Sequence, residues 1–352
     1  MRFHIFFCVA VMATAVTAAC SGTGGTSHDS RDFVRAVGSS TVYPFAMAIG
    51  EHVTGSGQKP PVTESIGTGA GMKLFCAGVG VDSPDIVNAS RRIKVSEYHQ
   101  CVNNGVTDIV ELQVGIDGIA FAEAGNGPRM ALTPEDIYKA LAAKPFGEPN
   151  TARLWSDVNP GLPSIPILVY GPPATSGTRD ALAELILEKG CLTRTAMTEI
   201  RVTDPKTFDQ VCHELRDDGA YVDAGENDNL IVQKVAQDPN AIGVFGFSFL
   251  EENKDKLKGV SLGGVKPTYE AISDFSYPGA RPLYIYIKKA HLDIVKPLND
   301  YVTEWTKAWG EDGYLKEKGM VIAPERVRME NAGIAKNMTI LDPQMLDPMQ
   351  LQ

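Results

Sequence analysis

The fold class follows from Phe33-Val34-Arg35-Ala36-Val37 and the four residues after it, Gly38-Ser39-Ser40-Thr41. The first five residues predict a short strand, and the small residues that follow predict a turn. A helix is expected from about Pro44 to His52. A strand that passes through a tight turn into a helix is the building unit of an α/β fold.

The same alternation of strand and helix continues along the chain. Further helices are expected at residues 72–77, 96–103, 179–189, 229–237 and 294–308. Further strands are expected at residues 62–65, 85–88, 109–114, 118–122, 165–170, 241–247 and 282–287. This order predicts an α/β fold with mostly parallel strands.

Two later turns repeat the design of residues 38–41. They are Gly67-Thr68-Gly69-Ala70-Gly71 and Thr175-Ser176-Gly177-Thr178. Unpaired N–H groups at a helix start, together with Ser and Thr hydroxyls, make a neutral cradle for an oxyanion such as phosphate or sulfate. Ser and Thr are also ordinary helix N-caps, so one such turn is weak support. Three of them at the carboxyl ends of strands, where α/β folds bind ligands, favour an anion site.

Motifs of enzymes are absent from the sequence. None of the three turns fits GxxxxGK[ST], or GxGxxG followed by a ribose-binding acid. The six histidines are isolated, and there is no HExxH, no GxSxG and no carboxylate cluster of the two-metal type. We therefore predict no enzymatic activity, no metal site and no cofactor.

The charge of the chain limits its partners. There are 33 Lys and Arg against 43 Asp and Glu, which gives a net charge of -10. A nucleic-acid binder needs a basic face, so this class is excluded. Net charge cannot attract an anion here, so local N–H dipoles, hydroxyls and one or two arginines would have to hold it.

The N-terminal residues predict export. Residues 1–19 have the form of a signal peptide, with Arg2, an apolar run and the small residues Thr17-Ala18-Ala19 before Cys20. The Ala-Ala-Cys ending resembles a bacterial lipobox with Cys20 as the lipidated residue, although Thr17 replaces the usual Leu. Ordinary cleavage nearby, with Cys20 incidental, is the alternative. Residues 20–31 predict a flexible tether.

Four cysteines remain beyond Cys20, and an even number in an exported chain suggests disulfides. Their spacings favour the local pairs Cys76–Cys101 and Cys191–Cys212, the simplest of three connectivities. Four buried free thiols are the alternative. No cysteine lies in a CxxC or beside a pair of histidines, so a zinc site is not expected.

Six segments together resemble the periplasmic phosphate-binding proteins, the solute-binding components of Pst-type ABC transporters. They occur in the family's order over most of the chain, which is more specific than any one motif. The segments are GSSTVYP at residues 38–44, GTGAG at 67–71, NASRRIK at 88–94, TSGTRD at 175–180, NAIGV at 240–244 and YPGARPLYIY at 277–286.

The resemblance implies a type II periplasmic binding protein fold with two α/β lobes. Each lobe is a mostly parallel sheet flanked by helices, and two crossing strands join them. Lobe 1 would comprise residues 32–115 and 277–342, lobe 2 residues 116–276, and residues 343–352 a tail. One oxyanion would lie between the lobes, held by the following residues: Ser40, Thr41, Thr68, Ser90, Arg91, Ser176, Gly177, Thr178 and Arg179.

Two departures from the family pattern bear on specificity. Many members have an Arg shortly before the Ser-Gly-Thr turn, where this chain has Gly171, Pro172 and Pro173. Many also have an Asp, which accepts the proton of phosphate, where this chain has Arg91. Asp223, Glu226 or Asp228 is the candidate substitute that accepts the phosphate proton. An exposed acidic turn explains the same segment equally.

The resemblance therefore predicts an exported receptor that binds inorganic phosphate and delivers it to an inner-membrane ABC permease. We expect a monomer in the periplasm, joined to a membrane only through lipid. An exported phosphatase-like enzyme on the same scaffold is one alternative. A phosphate-sensing lipoprotein without a transport role is another, and the sequence does not separate it from a transporter component.

Overall fold

We describe the fold from a computed structural model, which covers residues 30–225 and 227–346. Its strands are β1 (Arg35–Gly38), β2 (Val62–Ser65), β3 (Ile86–Ala89), β4 (Ile109–Ala124), β5 (Ala131–Leu132), β6 (Val169–Gly171), β7 (Tyr221–Asp223), β8 (Ile242–Gly246), β9 (Leu257–Gly259), β10 (Ser261–Leu262) and β11 (Ala280–Lys288).

The helices follow the strands in alternation over much of the chain. In the same region they are α1 (Tyr43–Gly55), α2 (Thr68–Phe75), α3 (Val95–Asn103), α4 (Pro134–Leu141), α5 (Trp155–Val158), α6 (Gly177–Ala181), α7 (Glu188–Cys191), α8 (Thr195–Thr203), α9 (Pro205–His213), α10 (Asp228–Gln237), α11 (Phe247–Glu252), α12 (Tyr269–Ser273), α13 (Leu298–Ala308) and α14 (Glu325–Asn337).

One mixed sheet runs through the molecule. Across the described residues it has nine strands, in the order β2-β1-β3-β11-β4-β8-β6-β7, with β9 also paired to β4. The outer strands pair in parallel at both ends, β1 with β2 and β3, and β6 with β7 and β8. The long strands β4 and β11 are antiparallel to each other and to their neighbours β8 and β3. The predicted α/β class is confirmed, with antiparallel pairing at the two crossing strands.

The hydrophobic core divides on either side of these crossing strands. One cluster draws its buried residues from positions 116–277, with Val321 and Ala323 added. Two other clusters draw theirs from positions 34–114 and 283–346. A chain with separate cores joined by two strands agrees with the two-lobed periplasmic binding protein fold, because each lobe buries its own apolar faces.

Several predicted elements differ in their bounds. The expected strands 109–114 and 118–122 are one strand, Ile109–Ala124, since its pairing with β11 continues through Gly115 and Gly118. The helix expected at 294–308 begins only at Leu298, directly after Pro297. In the segment predicted as a tail, Pro343–Leu346 form a 3₁₀ helix, and Leu346 is buried.

Both predicted disulfides are present. Cys76 is bonded to Cys101 and Cys191 to Cys212. The first bond joins the end of α2 to α3, and the second joins α7 to α9. The local connectivity is therefore confirmed, and the alternative of four free thiols is wrong.

Candidate functional site

Close glycine contacts fix the first turn. Gly38 has a φ of +129°, and a Cβ at this position would lie 2.2 Å from the carbonyl oxygen of Asn88. A Cβ at Gly71 would lie 2.6 Å from the Gly38 Cα, so α2 approaches the turn closely. Only glycine fits such contacts. They hold the start of the second turn's helix against the first turn.

The third turn touches the first turn across the two lobes. A Cβ at Gly177 would lie 2.6 Å from the Thr41 Cα. The Thr41 hydroxyl donates to the Gly177 carbonyl at 3.3 Å, and the Ser40 hydroxyl donates to the Asp180 carboxylate at 2.6 Å. Ser176 caps α6 by accepting from the Thr178 amide at 3.2 Å. These hydrogen bonds join residues about 140 positions apart in the chain.

The two turns open onto a cleft of about 980 Å³. The amides of Ser40, Thr41 and Gly177 have no hydrogen-bond acceptor within residues 30–225 and 227–346. Such groups at the start of helices are the donors that anions use. The cleft is lined by Ser40, Thr41, Tyr43, Pro44, Phe45, Ser65, Ile66, Gly67, Asp117, Thr175, Ser176, Gly177, Thr178, Asp180, Asp228, Gly246, Ser248, Phe249, Lys318 and Gly319.

Two predicted ligand residues lie behind the cleft lining. Thr68 and Ser90 are buried, and their hydroxyl oxygens are 3.1 Å apart. The Ser90 amide also donates to the Thr68 hydroxyl at 3.1 Å. Asn88, two residues earlier, is 1% exposed, and its side chain has no hydrogen-bond partner among the described residues. The Thr68 and Ser90 side chains therefore support the turns from behind, while Gly67 of the second turn lines the cleft.

The two arginines predicted to bind the anion are also outside the lining. Both guanidinium nitrogens of Arg91 donate to Glu97, at 2.8 and 2.9 Å. Burial opposes the charge of Arg91, but the hydrogen bonds to Glu97 prevail and raise its pKa. The Arg179 guanidinium lies over the Tyr221 ring, 4.5 Å from its centre. The resemblance implied that both side chains bind the anion. In the structure Arg91 pairs with Glu97, and Arg179 stacks on Tyr221.

Arg281 on β11 is a residue that sequence reasoning missed. Only 3% of it is exposed, and its guanidinium donates to Thr41 at 2.6 Å, to the Gly177 carbonyl at 3.3 Å and to Glu184 at 2.7 Å. It also donates to Asp117 on β4 at 3.1 Å. Burial raises the pKa of Asp117 although Arg281 opposes the shift. The residue lies within the quoted YPGARPLYIY segment, but nothing local there indicates its distant partners.

The carboxylates of the cleft include one of the predicted proton acceptors. Asp228 lines the cleft and accepts from the Gly246 amide at 3.2 Å. Asp223 is exposed and accepts from the Gly225 amide, while Glu226 lies outside the described residues. Asp117 and Asp180 also line the cleft. Neither was predicted as an acceptor: Asp117 lies outside the six motif segments, and Asp180, although it ends TSGTRD, has no local pattern that indicates this role.

The described residues contain neither a cluster of metal-ligand side chains nor a helix suited to span a membrane. No group of three or more His, Cys, Asp or Glu is arranged to hold a metal ion there. In the same residues no helix is both long and apolar enough to cross a membrane. The signal segment and Cys20 lie outside the described residues.

Residues 17–311 match the family model described as the PBP superfamily domain. The chain belongs to the PBP superfamily. Among PBP relatives, the Protein SphX of Synechococcus elongatus is 33% identical over 317 residues, which cover 86% of this chain and 83% of that protein. The Phosphate-binding protein PstS of Staphylococcus saprophyticus is 28% identical over 333 residues, covering 92% of this chain and 91% of that protein.

Solved structures of PBP proteins share the fold. A crystal structure of a possible phosphate binding protein from Planctomyces limnophilus has 27% identity and a TM-score of 0.69, covering 87% of this chain and 98% of that one. An ABC-type phosphate transport receptor from Vibrio cholerae has 17% identity and a TM-score of 0.56, covering 82% and 99%. The second likeness concerns the fold alone. The predicted family resemblance is confirmed.

Proposed function

We propose that the protein is an exported receptor that binds inorganic phosphate between its lobes and delivers it to an inner-membrane ABC permease. Lobe 1 comprises residues 32–115 and 277–342 and lobe 2 residues 116–276. The protein acts in the periplasm as a monomer, held at a membrane by lipid on Cys20. The name of the PstS relative supports phosphate as the ligand.

One observation carries the proposal. Two hydroxyl-rich turns from different lobes meet at one cleft, where Ser40 and Thr41 face Ser176, Gly177 and Thr178. The amides of Ser40, Thr41 and Gly177, unpaired within the described residues, can donate to the oxygens of a tetrahedral anion without requiring a positively charged protein. Lobe closure would exclude water around the anion and create a surface for the permease to recognise. Thr68, Ser90, Arg91 and Arg179 then support or complete the site from behind.

The charges of the cleft favour a protonated ligand. Asp117, Asp180 and Asp228 all line it. Carboxylates repel an anion that has no proton, whereas a phosphate that retains one can donate a hydrogen bond to a carboxylate oxygen. The second pKa of a phosphate group is about 6, so a proton is often present near neutral pH. We therefore propose that phosphate is preferred over sulfate.

Isothermal titration tests the ligand directly. We expect mature protein, stripped of endogenous ligand, to bind phosphate at micromolar concentration or tighter, to bind arsenate similarly and to bind sulfate weakly. The double variant Ser176→Ala/Thr178→Ala should weaken phosphate binding by about 1–3 kcal/mol, because bound oxygens lose partners. No heat with phosphate, or unchanged affinity in the double variant, would contradict the proposed site.

The same preparation addresses catalysis and transport. Pure protein incubated with a phosphomonoester should release no phosphate, because no group of three or more His, Cys, Asp or Glu among the described residues is arranged to hold a catalytic metal ion. Deletion of the gene should reduce phosphate uptake. Hydrolysis would favour a phosphatase, and unchanged uptake would favour a sensing role.

A further inference from the structure

The charge of the cleft wall is unfavourable for an anion. Asp117, Asp180 and Asp228 contribute carboxylates, and Lys318 is the only Lys or Arg in the lining formed by the described residues. A tetrahedral anion placed there needs at least one cation to offset these carboxylates, because repulsion between like charges is strong where water is partly excluded.

The arginines near the turns are already occupied. Arg91 forms a two-point ion pair with Glu97. Arg179 lies over the ring of Tyr221. The Arg281 guanidinium is divided among four acceptors, including Asp117 and Glu184. Arg91 and Arg281 would have to give up an acceptor before they could bind an anion, whereas Arg179 keeps most of its N–H donors but lies outside the cleft lining.

Lys318 has no such cost. Its side chain is exposed and makes no ion pair or hydrogen bond within residues 30–225 and 227–346, and its amide donates to the Leu315 carbonyl at 3.1 Å. A lysine carries its charge on a flexible stem with three donors, so it can reach a ligand by changing rotamers.

The loop that carries Lys318 meets the other side of the cleft. Gly319 has a φ of +93°, and a Cβ at this position would lie 2.8 Å from the Ser248 hydroxyl. Ser248 belongs to α11, whose buried residues lie in the core cluster of positions 116–277. Leu315 and Met320 of the same loop lie in a core cluster on the other side, so the loop contacts both sides of the cleft. Movement of the lobes would therefore move Lys318 relative to the third turn, which belongs to the other lobe.

We infer that Lys318 binds the oxyanion directly and supplies the positive charge of the site. This inference rests on the proposed function, since it names the cation for the same ligand. In this arrangement the neutral turns fix the oxygens of the anion. Lys318 offsets the cleft carboxylates and enters or leaves the site as the lobes move. The charge is thus provided from the rim of the cleft rather than by Arg91 or Arg179.

Titrations with inorganic phosphate at two ionic strengths test this role. Lys318→Ala should weaken phosphate binding at least about fivefold at low salt, since a charge pair 4 Å apart in water corresponds to about that factor. Its affinity should also fall less with added salt than that of the wild type, because one screened attraction is gone. Lys318→Arg should retain most of the affinity and the salt dependence.

Lys316→Ala is the matched control. Lys316 is exposed, lies two residues earlier and is outside the cleft lining, so its removal changes net charge equally. Thermal unfolding without phosphate should give similar midpoints for both alanine variants, which separates binding from folding. If Lys318→Ala and Lys316→Ala bind phosphate with equal affinity and equal salt dependence, the inference about Lys318 is wrong, while the proposed function is unaffected. A wild-type protein that binds no phosphate would overturn the proposed function and this inference together.

Discussion

Lys288 shows what burial does to a single charge in this protein. It is 1% exposed, and its ammonium donates to the Gly78 carbonyl at 2.6 Å and to the Ser83 hydroxyl at 2.8 Å. Burial lowers its pKa to about 7, while Asp85 raises it and Arg31 lowers it further. In the unfolded chain the same group has a pKa of about 10.4.

The stability of the protein should therefore depend on Lys288 in alkaline solution. Between about pH 7 and pH 9 the unfolded chain binds a proton at this lysine that the folded chain has lost, so the free energy of unfolding rises with pH. Lys288→Met should remove that rise. Urea unfolding at pH 7, 8 and 9 measures the slope, and Lys316→Met is the exposed control. Equal slopes in wild type and Lys288→Met would contradict the lowered pKa.

At the scale of elements, the crossing strands β4 and β11 pair Asp117 with Arg281, whose guanidinium donates to four acceptors near the site. Arg281 and Asp117 are cross-strand partners in their register, and the same arginine reaches turns from both lobes. A guanidinium has five donors in a rigid fork, so it can hold several acceptors that lysine cannot. The crossing strands thus position Thr41 against Gly177.

Removal of this arginine should destabilise the protein strongly. Arg281→Met leaves Asp117 without its ion-pair partner, which typically costs about 3–5 kcal/mol for a buried pair. Arg281→Lys should recover part of the loss. The control is Arg153→Met, since Arg153 pairs with Asp218 at an exposed position and should matter by about 1 kcal/mol or less. Urea unfolding measures all three, and comparable losses for Arg281→Met and Arg153→Met would rule out this role.

At the scale of the whole molecule, the net charge of -10 disfavours the binding of an anion, so local groups at the cleft have to bind it. Neutral turns from two cores meet at one cleft, and the cation we infer lies at its rim. We propose that the receptor is held at the membrane that carries its permease. A lipid at Cys20 followed by a flexible tether would keep it there.

The anchor can be tested on the full chain in a bacterial host. We expect wild-type protein to incorporate labelled palmitate and to sediment with membranes, whereas Cys20→Ser should lose the label and become soluble, because the acylated thiol is gone. Ser21→Ala is the neighbouring control and should behave as wild type. A soluble, unlabelled wild-type protein would instead support ordinary signal cleavage.

The sequence by itself determined the α/β class and the three strand–turn–helix units, and its cysteine spacing favoured the two disulfides that the structure contains. Each depends on residues close together in the chain: Gly, Ser and Thr directly after a strand, or cysteines 21 and 25 residues apart. Local propensity and turn chemistry act over such short distances, so the printed residues suffice.

Only the tertiary structure decided which groups share the cleft. It brought Ser40 to Asp180 and Arg281 to Thr41, placed Thr68 and Ser90 behind the lining and added Lys318. It also joined two predicted strands into Ile109–Ala124 through pairing with β11. These outcomes depend on contacts between residues far apart in the chain, which no local pattern encodes. The physical reason is that strand pairing and lobe packing, rather than residue type, set the distances between charges.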